Sequence, residues 1–272
     1  MDLFGNMNYK VLWVTLMKNE MDILPFVTKY WERIKADVLV FDNGSDDGSI
    51  EYLSQLPYVT LRHFDSDGQN DVIQKQVKEQ AYLEFKDKYD IIIISDMDEV
   101  FYWRDFEASA ERFLSEGYNI QVTPIYSLCE DLKPQPDDSK LLHQLCTKFY
   151  KQKMNHMQGF EEYSKLSIFN CKITDKVEMS VGQHYVRTLP DMKISLELDA
   201  FCLHIDKGFG YQYRYDVKQK MWKNLSEMNK RGGMCLEYND SLEKVKKEYE
   251  QHQAHSFNLN EILDKMVIIK NA

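Results

Sequence analysis

Four isoleucines in a row, Ile91-Ile92-Ile93-Ile94, run straight into Ser95-Asp96-Met97-Asp98-Glu99-Val100. An unbroken β-branched run fits a strand buried on both faces, the condition of a central strand in a parallel sheet. A sheet with such a strand needs helices on both sides to cover it. Three acids directly after the run need solvent or a cation, so the strand ends at an open edge. In open α/β sheets that edge, beyond the carboxyl ends of the strands, is where ligands sit.

The residues before this strand supply the rest of such a sheet. Residues 9–17 and 38–42 read as buried strands, and 58–63 as a third. Between them, Ile23, Val27, Tyr30, Trp31 and Ile34 recur at helical spacing, with Asn19 placed to cap the helix and Pro25 in its first turns. Residues 49–55, 71–88 and 108–116 read as helices, 89–95 as the fourth strand and 120–126 as a further one. Strands alternating with helices predict a parallel sheet flanked by helices. After Tyr126 the pattern changes. Residues 130–140 form a loop with two prolines and four acids, 141–205 read as short strands in an α+β style, and 208–251 as polar helix. The chain therefore divides into a nucleotide-type half, 1–126, and a second half, 127–272, that completes a cleft within one domain.

Composition excludes several classes of function. The formal charge of −10 makes the chain a poor nucleic-acid binder, because such affinity comes mainly from cationic contacts to phosphates. The cysteines, Cys129, Cys146, Cys171, Cys202 and Cys235, form no Cys-x-x-Cys pair and read as free thiols of a reducing compartment. The purely apolar runs stop at four residues, against about 20 for a membrane span, and no signal-peptide pattern opens the chain. These features predict a cytoplasmic protein, at most peripheral at the inner face of a membrane.

Two carboxylates at the end of a buried strand make a hard oxygen site for Mn²⁺ or Mg²⁺, completed by substrate phosphates. Asp96-Met97-Asp98-Glu99-Val100 fits the Asp-x-Asp-x-Thr/Val motif of haloacid dehalogenase-like phosphatases, although their nucleophile lies on the first strand, near the N-terminus. It also fits the Asp-x-Asp metal site of nucleotide-sugar glycosyltransferases. A second feature joins it: Asp42-Asn43-Gly44-Ser45-Asp46-Asp47-Gly48, after the second strand, is dense turn chemistry.

With this turn, the Asp-x-Asp motif and the strand running into Thr15-Leu16-Met17-Lys18-Asn19-Glu20, the sequence resembles the family 2-like bacterial glycosyltransferases. That resemblance implies an α/β fold of the GT-A type, a Rossmann-like mixed sheet flanked by helices with a smaller α+β C-terminal part. It also implies inverting transfer from a nucleoside-diphosphate sugar, a UDP-sugar favoured, to a glycan or lipid-linked acceptor in surface polysaccharide synthesis. The alternatives are the phosphatase and a non-catalytic carbohydrate-binding module of the same fold.

By the same resemblance Thr15, Asn19, Glu20, Asp42, Asn43 and Lys78 bind the donor. Asp96 faces the ribose or sugar and shares the metal with Asp98 and His204, and His184 serves the acceptor or a secondary metal contact. Gly182–His184 and Leu203-His204 carry the histidine part of the likeness, and Lys165 before Ile168-Phe169 is a further donor-side match. Residues 207–231 hold seven basic residues and two acids, Arg214 and Lys218 lie one helical turn apart, and both suit a diphosphate, or the stretch suits an anionic membrane surface. Inversion needs a carboxylate base. Glu161 or Glu162 is favoured for it, over Asp175 and Glu178.

Overall fold

The computed structural model describes residues 9–151, 164–184, 191–196, 200–206 and 208–261. In chain order the elements are β1 (Val11–Met17), α1 (Leu24–Arg33), β2 (Asp37–Asp42), α2 (Ser49–Leu53), β3 (Val59–His63), α3 (Asp71–Phe85), β4 (Ile91–Asp96), β5 (Glu99–Trp103), α4 (Phe106–Ser115) and β6 (Ile120–Leu128). There follow α5 (Leu142–Leu145), β7 (Phe149–Lys151), β8 (Ser164–Asn170), β9 (Ile194–Ser195), β10 (Ala200–His204), α6 (Tyr211–Lys223), α7 (Glu227–Arg231) and α8 (Leu242–Ala254).

The strands form one sheet in the order β3-β2-β1-β4-β8-β6-β10-β5, with β7 and β9 also paired to β6. β1 to β4 run parallel, as strand–helix alternation predicts. The sheet beyond them is not parallel. β8 inserts antiparallel between β4 and β6, and β10 runs parallel to β6 but antiparallel to β5. The sheet is thus mixed, as the resemblance implied, and in this half long-range pairing, which no local pattern encodes, sets strand direction. The architecture is a mixed sheet of parallel and antiparallel strands flanked by helices, consistent with the fold that the resemblance implied.

β1 and the isoleucines of β4 are buried on both faces. Trp13 packs among Tyr30, Trp31 and Phe101, and its Nε1 donates to the buried Ser95 Oγ at 2.7 Å, which ties β1 to the end of β4. Buried indole nitrogens need such a partner. Two local expectations are corrected. Ile23, not Asn19, precedes α1, with Pro25 in the first turn; Asn19 is left-handed at φ 58° and turns its side chain to Asp46 instead. The acids after β4 are also not all at an open loop: β5 begins at Glu99 and is buried throughout, so the third acid points inward.

A loop after β3 links the two halves. Gln69 donates its amide to the Asn224 carbonyl at 2.8 Å and accepts from the Ser226 amide at 3.1 Å, joining the α6–α7 corner. Gly68 makes this approach possible, because a Cβ there would lie 2.3 Å from the Asn224 carbonyl oxygen, at a backbone φ of +83°. The same loop is held from the other side by Asn43, whose Nδ2 donates to Ser66 Oγ at 2.8 Å and to the Gly68 carbonyl at 3.2 Å.

Candidate active site

The register of the parallel strands sets Met17 beside Asp42 and Leu16 beside Asp96. The two aspartates therefore flank the end of β1, two strands and about 10 Å apart at ordinary strand spacing. Asp42 is buried, and its carboxylate accepts from the amides of Gly44 at 3.0 Å and Ser45 at 3.2 Å, so it folds its own turn. Asn19 closes the turn from outside: Nδ2 donates to Asp46 Oδ1 and Oδ1 accepts from the Asp46 amide, both at 2.8 Å. The Glu20 amide donates to Ser49 Oγ at 3.1 Å. Thr15 is enclosed beneath this edge, with Oγ1 toward the Leu16 carbonyl.

The acidic motif is divided between partners. Lys78, on α3 and buried, reaches Asp96 Oδ1 at 2.6 Å. Burial alone would raise the Asp96 pKa; Lys78 and then Lys165 outweigh it and hold the carboxylate below its ordinary value. Glu99 Oε1 pairs with the Lys165 ammonium at 2.7 Å, with both side chains almost wholly closed to water. The middle acid, Asp98, faces His204 at the end of β10, Oδ2 to Nε2 3.4 Å. The Ile205 amide donates to the Asp98 carbonyl at 2.8 Å and fixes the two strand ends together. Burial disfavours charge on His204, but Asp98 and then Asp206 overcome it and raise its pKa to about 9. His204 Nδ1 is buried without a hydrogen-bond partner.

Asp206 continues the line. Its carboxylate receives Arg214 Nη2 at 2.7 Å and the Tyr150 hydroxyl at 3.4 Å, and its backbone is left-handed at φ 43°. Lys218, one turn on from Arg214, is buried with its ammonium 3.9 Å from Asp240. Burial and the neighbouring Arg214 lower its pKa. The basic stretch is therefore not one cationic surface: two of its cations turn inward, and Lys220, Lys223, Lys230 and Arg231 share the outside with Asp216, Glu227 and Glu237. The Lys230 ammonium lies 5.7 Å from the Trp222 ring centre.

The structure thus brings Lys78, Asp96, Asp98, His204 and, through Asp206, Arg214 along one edge, with Asp42, Asn19 and Glu20 beside β1. Asn43 and Lys165 act inside the framework. His184 ends the Gly182-Gln183 turn with its ring folded over Gly182. Glu161 and Glu162, favoured for the base, lie outside the described residues. Sequence reasoning missed Glu99, Gln183 and Asp206 as site residues. Glu99 stood in the quoted motif and Gln183 between two quoted residues; nothing local marks Asp206.

Among the described residues, no group of three His, Cys, Asp or Glu gathers as a ready cation cage. Asp98 and His204 nevertheless suit Mn²⁺ or Mg²⁺, which are often held by one or two protein ligands and completed by substrate phosphates, since Asp98 Oδ2 and His204 Nε2 face each other at 3.4 Å beyond the strand ends.

No protein-family model matches the chain, and no curated protein matches its sequence. Among solved structures it is similar to residues 1–349 of TarS from S. aureus, at 12% identity and a TM-score of 0.44, over 81% of this chain and 68% of that one. It is similar to a longer TarS chain at 11% identity and a TM-score of 0.45, spanning 41% of that chain and 81% of its own. A197 from STIV matches at 13% identity and a TM-score of 0.37, over 72% of this chain and 85% of that one. Among the described residues, no helix is long and apolar enough to cross a membrane.

Proposed function

We propose that the chain is a metal-dependent glycosyltransferase that moves a sugar from a nucleoside-diphosphate donor to a glycan or lipid-linked acceptor. The observation that carries this reading is the division of the acidic motif. Buried lysines take Asp96 and Glu99, and Asp98 alone turns to a histidine from another strand at the ligand edge of the sheet. A phosphatase nucleophile of this kind lies on the first strand, whereas here Asp96 ends the fourth.

In this reading Asp98 and His204 hold Mn²⁺ or Mg²⁺, whose chemistry is Lewis-acid stabilisation of the departing diphosphate. The chain's own groups do the rest. The turn around Asp42, closed by Asn19 and Glu20, receives the base and ribose of a UDP-type donor. Asp96, oriented by Lys78, accepts hydrogen bonds from the donor's ribose or sugar hydroxyls. Arg214 and Lys218 stand behind the diphosphate as fixed cations. His184 lies on the acceptor side, and Glu161 or Glu162 takes the acceptor proton, giving inversion. Surface-polysaccharide synthesis, a cytoplasmic setting and contact with an anionic membrane complete the proposal.

Thermal unfolding with a panel of nucleoside diphosphates, with and without Mn²⁺, tests it. One nucleotide should raise the midpoint, only with Mn²⁺, and a hundredfold excess over its Kd corresponds to about 2.7 kcal/mol. A shift with vanadate and with no nucleotide would replace the transferase with the phosphatase.

A further inference from the structure

Gln183 is a buried residue in a backbone conformation that glutamine rarely takes. It and Gly182 are consecutive left-handed residues, at φ 58° and 73°. Such strain persists only where surrounding contacts over-determine it, and it gathers at functional sites. Here the contacts are specific. Gln183 Oε1 accepts from the Lys78 ammonium at 2.6 Å, and its Nε2 donates to the Ile94 carbonyl of β4 at 3.2 Å and lies 3.3 Å from Met179 Sδ. Lys78 uses the same ammonium on Asp96 Oδ1 at 2.6 Å. One residue earlier, the Gly182 carbonyl accepts from Lys165, which holds Glu99. Two buried lysines thus each bridge one acid of the motif to one residue of this turn.

An ammonium on a four-carbon stem has three rotatable donors and no fixed direction. What aims Lys78 is the second acceptor. With Gln183 Oε1 in place, the ammonium is fixed between it and Asp96; without that oxygen, the stem is free to swing toward solvent at the half-open Asp96 side, where the carboxylate is 38% exposed. Asp96 is then released toward Asp98, two residues on.

We propose that Gln183 is a positioning residue of the acidic site: it locks Lys78 onto Asp96, which keeps Asp96 facing the donor and leaves the cation to Asp98 and His204. The inference rests on the metal reading above, and the experiment separates the two.

Mn²⁺ alone is titrated into the full chain by calorimetry. Gln183→Leu changes no charge, so any gain in affinity must come through side chains it releases. Gln183→Met, of nearly the same length, serves if the leucine variant does not fold. The expected result is tighter Mn²⁺ binding by about tenfold, the lower end of what outer-shell partners contribute to metal affinity. The gain should vanish when Asp96→Asn is added. Unchanged affinity with a lowered melting temperature would mean a structural role alone and overturn the inference. A gain that survives in the Asp96→Asn background would overturn it as well. Both results leave the metal reading standing if Asp98→Asn still abolishes binding. No Mn²⁺ binding by the unaltered chain would overturn the metal reading, and this inference with it.

Discussion

Lys165 and Glu99 form an ion pair 2.7 Å apart whose side chains are 4% and 3% exposed. They come from β8 and β5, which are not neighbours in the sheet. A pair this deep earns little net stability, because desolvation offsets the attraction, but removing one partner strands a buried charge. Lys165→Met should therefore destabilise the fold by about 3–5 kcal/mol in urea unfolding. Adding Glu99→Gln should recover part of that loss. Equal instability of the single and double variants would show that the charge is not what matters.

Asp98→Asn should abolish the Mn²⁺-dependent nucleotide shift and lower transfer by about a hundredfold or more, the scale of losing one key electrostatic group. The melting temperature without metal should stay close to that of the unaltered chain. Retained Mn²⁺ dependence would move the cation elsewhere.

His143 sets an acid limit. Burial, and then the nearby Arg33, lower its pKa to about 4, and its ring packs edge-on to Tyr102 with centres 4.8 Å apart. The unfolded chain binds this proton near pH 6.5, the folded chain only near 4, so between those values the unfolded state holds more protons. Stability is full above pH 6.5 and is lost as pH falls, by about 3 kcal/mol across the window. His143→Phe should flatten this part of the profile in chemical unfolding from pH 7 to 4, beyond the similar contribution of His252, whose pKa burial and then Arg214 lower to about 4.

Gly68→Ala places a methyl group against the Asn224 carbonyl at a positive φ. It should cost at least about 1 kcal/mol. Amide exchange at Gln69 and Ser226 should quicken more than at β1, which locates the damage at this junction. Uniform acceleration would mean a global effect instead.

The half of the fold written in apolar runs is legible from the chain: β1, β2 and β4 appear as hydrophobic stretches and end within two residues of their last apolar residue. β5 is not, because Glu99 at its start reads as one more surface acid until Lys165 is seen to meet it. The direction of β8 depends on strands distant in sequence. Of the proposed site, Asp42, Asp96 and Asp98 are the residues that type and position mark out in the sequence. Gln183 does not, since a neutral side chain in an irregular stretch carries no periodicity, and its meaning comes only from the lysine it meets.

The loop at residues 66–70 carries a consequence for how such a chain can be shortened or recombined. Its backbone is paired with the α6–α7 corner, and its carbonyl and hydroxyl groups receive Asn43. A version ending ahead of Asn224 would leave the Gln69 amide and carbonyl as an open edge beside the Asp42 turn. The C-terminal helices are therefore a part of the wall beside the Asp42 turn, and a chimaera that exchanges them must exchange the loop as well.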